Sequence, residues 1–242
     1  HHYLKSGDHS EAASQSRMAL AFDSNNEKAK DSLNQALKGM NVDPASSTAR
    51  LKQGHTLFSQ GKTLEAAIEY RAALHNPLQM DSHAEALVGL GNIAAHHKDL
   101  TNAKANYEAA LHQNPNSSTA LRQYGIFQFK QNELINANRN LSKALIVNPA
   151  DAAAKEKLIE LWQQQIAVRP DDAVTHLGMA RAYQLAGDLK SAQAEYKTVV
   201  KIDPNHPNLP QARESFKIAL IEQEARKHLE SAHTLENHNA LH

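Results

Sequence analysis

The chain has 242 residues, with 26 basic and 26 acidic side chains and a formal net charge of zero, which argues against broad capture of nucleic acid or an anionic membrane. Cysteine is absent, so disulfides, thiol catalysis and zinc–thiolate sites are excluded while the redox compartment stays open. No run approaches the ~20 apolar residues that a membrane-spanning helix needs, and His1-His2-Tyr3 lacks the apolar segment of a signal peptide.

From the N-terminus, Tyr3, Gly7-Asp8, Ala12 and Ala19 read as the tail of one helix and the whole of a second. The chain is therefore expected to begin inside a repeat and to be cut from a longer protein. A single helix is predicted over Glu27–Met40, because the interval from Ser24 to Pro44 is too short for two. Ser46–Pro77 follows with Gly54, Leu57, Gly61, Ala66, Tyr70 and Ala73. In Ala84–His97 the apolar positions Leu87, Leu90, Ile93 and Ala94 recur at spacings of three and four, which is helical periodicity. Lys98-Asp99 makes a turn, and Ala103, Tyr107, Ala110 and Leu111 line a second helix that Asn114-Pro115 stops.

The pattern then returns. Leu90-Gly91, Leu100, Ala103, Tyr107, Ala110 and Pro115 come back 34 residues later as Tyr124-Gly125, Leu134, Ala137, Leu141, Ala144 and Pro149. Pro149 to Pro170 again holds one predicted helix, Ala152–Ala167, with Trp162 beside Leu158, Leu161 and Ile166 as packing residues. A further copy ends on Pro204 with Ala180, Tyr183, Gly187, Leu189, Ala192, Tyr196 and Val199. Gln211–Glu236 is amphipathic through Phe216, Leu220, Ala225 and Leu229, and is expected to cap the last repeat. A period of this size marks stacked helix pairs, with small residues such as Gly91, Ala103 and Ala110 at close approaches and Leu90, Leu100 and Tyr107 filling gaps.

This small/large signature resembles the tetratricopeptide repeat (TPR) family: Leu-Gly in a first helix, an Ala-x₃-aromatic-x₂-Ala run in a second, and a terminal proline. The resemblance implies an all-α, TPR-type helical-hairpin solenoid with extra unpaired helices and a C-terminal capping helix. The expected division is 1–44, a partial repeat plus an extra helix; 45–150, three repeats; 151–170, an extra helix; 171–205, a repeat; and 206–242, the capping helix. Two readings of the odd helices stay open. They form joints near 25–45 and 150–170, or they merge with their neighbours as mild irregularities.

No catalytic, cofactor-binding or metal site is expected. His96-His97 are about 100° apart on a helix and cannot share one ion. Gly89-Leu90-Gly91 lies inside a helix with no preceding strand, so it is no dinucleotide loop. Glu65, Glu108 and Glu195 read as a solvated face of second helices. The resemblance instead implies a concave groove lined by first helices that binds partner proteins or peptides. Carried over by position, its residues are Leu51, His55 and Phe58; Val88, Asn92 and His96; Arg122, Ile126, Phe129 and Lys130; and Leu177, Arg181 and Gln184. Asn92 matches one asparagine of the family's chaperone-tail clamp, but Leu51, His55 and Val88 stand where basic or polar residues belong. Neither nucleic acid nor direct membrane insertion is expected. Arrays broken by extra helices are similar to periplasmic TPR regions of bacterial exopolysaccharide (cellulose) export proteins, which implies a periplasmic setting and recruitment of synthase machinery. A recruiting arm of an enzyme whose catalytic domain lies elsewhere is the other alternative.

Overall fold

The computed structural model describes residues 7–75 and 80–239, and among them it contains twelve α-helices and no strand. The readings placed on His1, His2, Tyr3 and Pro77 lie outside the described residues. The chain divides into two compact units, His1–Asn132 and Glu133–His242. The boundary falls in the turn within the repeat that the sequence sets at Ser117–Ala150.

The first unit holds α1 (His9–Phe22), α2 (Glu27–Gly39), α3 (Ser47–Ser59), α4 (Thr63–His75), α5 (Met80–His96), α6 (Leu100–Gln113) and α7 (Ser118–Lys130). Helix starts follow from capping chemistry. Asp8, Asn26, Ser46, Asp99 and Ser117 each accept a hydrogen bond from the N–H three residues on, satisfying a donor that the helix leaves open. Within the unit α3 pairs with α4 and α5 with α6; α5 packs on both α3 and α4, and α7 on both α5 and α6.

Small residues set these approaches. Ala66, Ala73, Ala103 and Ala110 are fully buried. Gly54 and Gly89 clasp the Tyr70 ring from α3 and α5; a Cβ at either would come within 2.6 Å of it. Gly91 makes the same accommodation for Tyr107. The double glycine at 89 and 91 therefore serves two tyrosines of successive repeats. Leu100, read as a gap filler, is instead 44% exposed at the start of α6.

The second unit holds α8 (Leu134–Val147), α9 (Ala152–Val168), α10 (Ala173–Ala186), α11 (Leu189–Ile202) and α12 (Leu209–Asn239). Here α10 pairs with α11 and packs against both α8 and α9. Trp162 of α9 lies over Gly178 of α10, where a Cβ would reach 2.2 Å, and its Nε1–H donates to Asn138 of α8 at 3.1 Å. Its role is packing. Capping by α12 is confined to its first two turns: Leu209 and Ala212 are buried, and Phe216 meets Tyr196 edge-on at 5.2 Å. Leu220 and Leu229, read as part of the same face, are 38% and 64% exposed.

The two odd helices are not equivalent, and their turns show why. First helices end on a left-handed residue: Gly61, Lys98, Asn132 and Gly187. Second helices end on Asp23, Asn114, Asn148 and Asp203, whose side chains each accept from the N–H two residues on. Helix α2 ends as a first helix does, at left-handed Asn41. Two residues later Asp43 makes the turn that normally closes a second helix, accepting from the Ala45 N–H. A second helix has been skipped, and α4 packs back onto α1. Helix α9 ends like a second helix, on extended Arg169 (φ −136°) before Pro170.

Candidate functional site

The first-helix positions that the sequence singles out separate into buried and presented groups. In the first unit Leu51 and Val88 are buried in apolar clusters with Tyr70 and with Tyr107 and Tyr124. Phe58 packs partly against the cluster around Tyr70. His55, His96 and Lys130 are exposed, while Asn92, Arg122, Ile126 and Phe129 are half-buried. These residues ride on α3, α5 and α7, which pack in succession. In the second unit Leu177 is buried, Arg181 exposed and Gln184 half-buried.

Second-helix tyrosines orient three of these positions. The Tyr70 hydroxyl shares a 3.0 Å hydrogen bond with His55 Nδ1, and Tyr107 donates to Asn92 Oδ1 at 2.7 Å. In the second unit Tyr196 donates to Gln184 Oε1 at 2.9 Å. Burial, aided by the charge of Glu85, pushes the Tyr70 pKa up to about 12, so its hydroxyl stays protonated. Burial raises Tyr107 and Tyr196 likewise. Each bond fixes one end of a polar side chain; the other ring nitrogen of His55, Nε2, stands 3.9 Å from Glu85. Gln184 Nε2 donates to Ser215 of α12. Around it are clefts of about 340 and 440 Å³ between α10 and α12, and one of about 490 Å³ that α8 and α9 also line.

Sequence reasoning missed the charged interior of the first unit. Glu65, assigned to a solvated face, is 6% exposed and stands 3.7 Å from Arg17. Glu69 is completely buried, accepting from Arg17 Nε at 2.6 Å and from Arg50 Nη1 at 2.9 Å. Arg50 also donates to Asn34 and to the Pro44 carbonyl. Glu195 is likewise engaged, with His176, whereas Glu108 is mostly exposed and accepts from Tyr124.

The signal for this chemistry lies in a recurrence. Arg50 reaches the carbonyl six residues back and the glutamate nineteen ahead. His176 does the same with Pro170 and Glu195, at 2.7 and 2.6 Å. Both residues open the first hairpin after an odd helix. Because a carbonyl and an ionised carboxylate only accept, the two bonds together call for an imidazolium. Burial alone pushes His176 down. The hydrogen bonds to Glu195 and Pro170, with the charges of Glu195 and Asp171, outweigh it and set its pKa above the ordinary value. Stability from this pin is whole below the unfolded value of ~6.5 and is lost as pH rises through the higher folded value. The thermal midpoint of the chain is expected to fall across that window, and His176→Arg, which copies Arg50, to flatten the fall. Identical slopes in both proteins would remove His176 as the titrating group.

Two tetratricopeptide repeat family models match, at residues 51–118 and 173–206. The chain carries tetratricopeptide repeats. The matches fall on α3–α6 and on α10–α11. No curated protein matches the sequence. Similar solved structures include a TPR protein from Parabacteroides merdae at 23% identity, covering 87% of this chain and 89% of that one, with a TM-score of 0.39. A thermophilic TPR protein from Thermus thermophilus is 20% identical over 73% of this chain and all of its own, TM-score 0.39. YrrB, described as a TPR protein with an unusual peptide-binding site, is 16% identical over 82% and 88%, TM-score 0.36. Among the described residues no helix is long and apolar enough to cross a membrane.

Proposed function

We propose that the chain is a non-catalytic interaction scaffold whose TPR first helices hold a partner protein or peptide. The observation that carries this reading is the tyrosine-anchored pair His55 and Asn92, set on successive first helices of the first unit. Polar groups held in this way lose little freedom on binding, which lowers the ordering cost that a flexible surface would bear. Phe58, Ile126 and Phe129 add partly exposed apolar area beside them. In the second unit Arg181 and Gln184 offer the corresponding surface toward α12.

The test is affinity capture of a partner with the intact chain, followed by Phe129→Ala combined with Arg122→Ala. The double variant should weaken that complex by about tenfold or more, as loss of interface anchors does, with helicity by circular dichroism unchanged. Unaltered affinity would move the site off the first-helix face. The export-protein and recruiting-arm readings differ in the domain that each requires in the same polypeptide. A β-barrel strand pattern in the full-length sequence would select the first, and a catalytic domain the second.

A further inference from the structure

The skipped second helix has a consequence for binding. Between α1, α2, α3 and α4 lies a cleft of about 630 Å³, within the range of small-ligand and peptide pockets. Leu20, Leu33, Ile68 and Ala72 give it apolar walls. Lys30, Arg50, Arg71 and His75 line it as well, with the amides of Asn25 and Asn34. No carboxylate is among its lining residues, although the chain as a whole has zero net charge.

The two buried glutamates nearby are committed elsewhere. Glu69 is fully buried between Arg17 and Arg50, and Glu65 contacts Arg17 and Ser14. Glu27 pairs with Lys30 at 2.7 Å, but both side chains are exposed, so that pair is easily exchanged for another anion. Arg50 is 5% exposed and uses three of its five N–H donors on Pro44, Glu69 and Asn34. Arg71 and His75 are four apart on α4 and share one face. The related module in the second unit has no such skip: there α10 packs directly on α9, with Trp162 over Gly178.

We infer that this cleft, apart from the first-helix groove, is a binding site for an acidic peptide segment that sets a carboxylate beside an aliphatic side chain. The carboxylate meets Lys30 and Arg71 at the rim, next to the buried Arg50, and the aliphatic group lies against Leu33 and Ile68.

The test is fluorescence anisotropy on the intact chain with end-blocked, fluorescein-labelled peptides of alternating glutamate and leucine, lysine and leucine, or glutamate and serine. The glutamate–leucine probe should bind at least tenfold tighter than either other. Lys30→Glu combined with Arg71→Glu, both on exposed side chains, should abolish that preference with helicity unchanged. The Phe129→Ala, Arg122→Ala variant should bind the probe as the parent does. Equal binding of all three peptides, or an unaffected Lys30→Glu, Arg71→Glu variant, would overturn the inference. Loss of the probe in the groove variant would overturn it by placing the peptide on the first helices. Inorganic phosphate displacing the probe, with serine as good as leucine, would replace it with a simple anion site.

Discussion

Replacing Glu69 by alanine is expected to destabilise the first unit by about 3–5 kcal/mol, because it strands two buried cations. Glu69 has no exposed surface, and its two oxygens accept separately from Arg17 on α1 and Arg50 on α3. Arg17 and Arg50 are themselves 4% and 5% exposed, and Arg17 Nη2 has no hydrogen-bond partner among the described residues. The charges are tolerable only as a set. Replacing all three together, Arg17→Met, Arg50→Met and Glu69→Leu, should therefore cost little, or even stabilise by about 1–4 kcal/mol. Urea denaturation followed by circular dichroism reads both outcomes. A loss below about 1 kcal/mol for Glu69→Ala would mean that water reaches the arginines and that the cluster is not sealed.

That network also marks where the sequence stops being legible. Periodicity exposed the repeat because a small residue every turn or two on a helix leaves a local, countable trace: Ala103, Tyr107 and Ala110 sit on one face by spacing alone. The prolines at 44 and 170 bounded the odd intervals for the same reason. What the odd helices do was written in subtler residues. Asn41 ends α2 in the left-handed conformation of a first helix, whereas Arg169-Pro170 ends α9 in the extended one. A reading keyed to proline treats both alike. Glu69 meets Arg17 across 52 residues, and a charged position on one helix face looks solvated until the partner helix is placed. Only the recurrence of proline, buried cation and glutamate at matched spacings, as Pro44, Arg50, Glu69 and again as Pro170, His176, Glu195, carried the contact in one dimension. Burial within the proposed groove is illegible for a related reason: Leu51, Val88 and Leu177, each one turn before a presented side chain on the same helix, are buried.

Tyr70→Ala should cost about 3–5 kcal/mol, the range for emptying a buried aromatic site, whereas Tyr70→Phe should cost about 0.5–1.5 kcal/mol, the worth of one hydrogen bond. The contrast isolates what the ring does. Tyr70 is 1% exposed on α4, and it fills space left by Gly54 in its own hairpin and by Gly89 in the next. Its hydroxyl reaches His55 at the rim, outside the tightest packing. In a stacked array each repeat draws stability from its neighbours, so a ring shared by two hairpins contributes to the interface term as well as to its own pair. The phenylalanine variant keeps that filling and loses only the anchor on His55; it should stay folded while freeing a presented side chain. If alanine and phenylalanine cost the same, the two glycines are not making room for the ring, and the stacking register between α3 and α5 rests on other contacts.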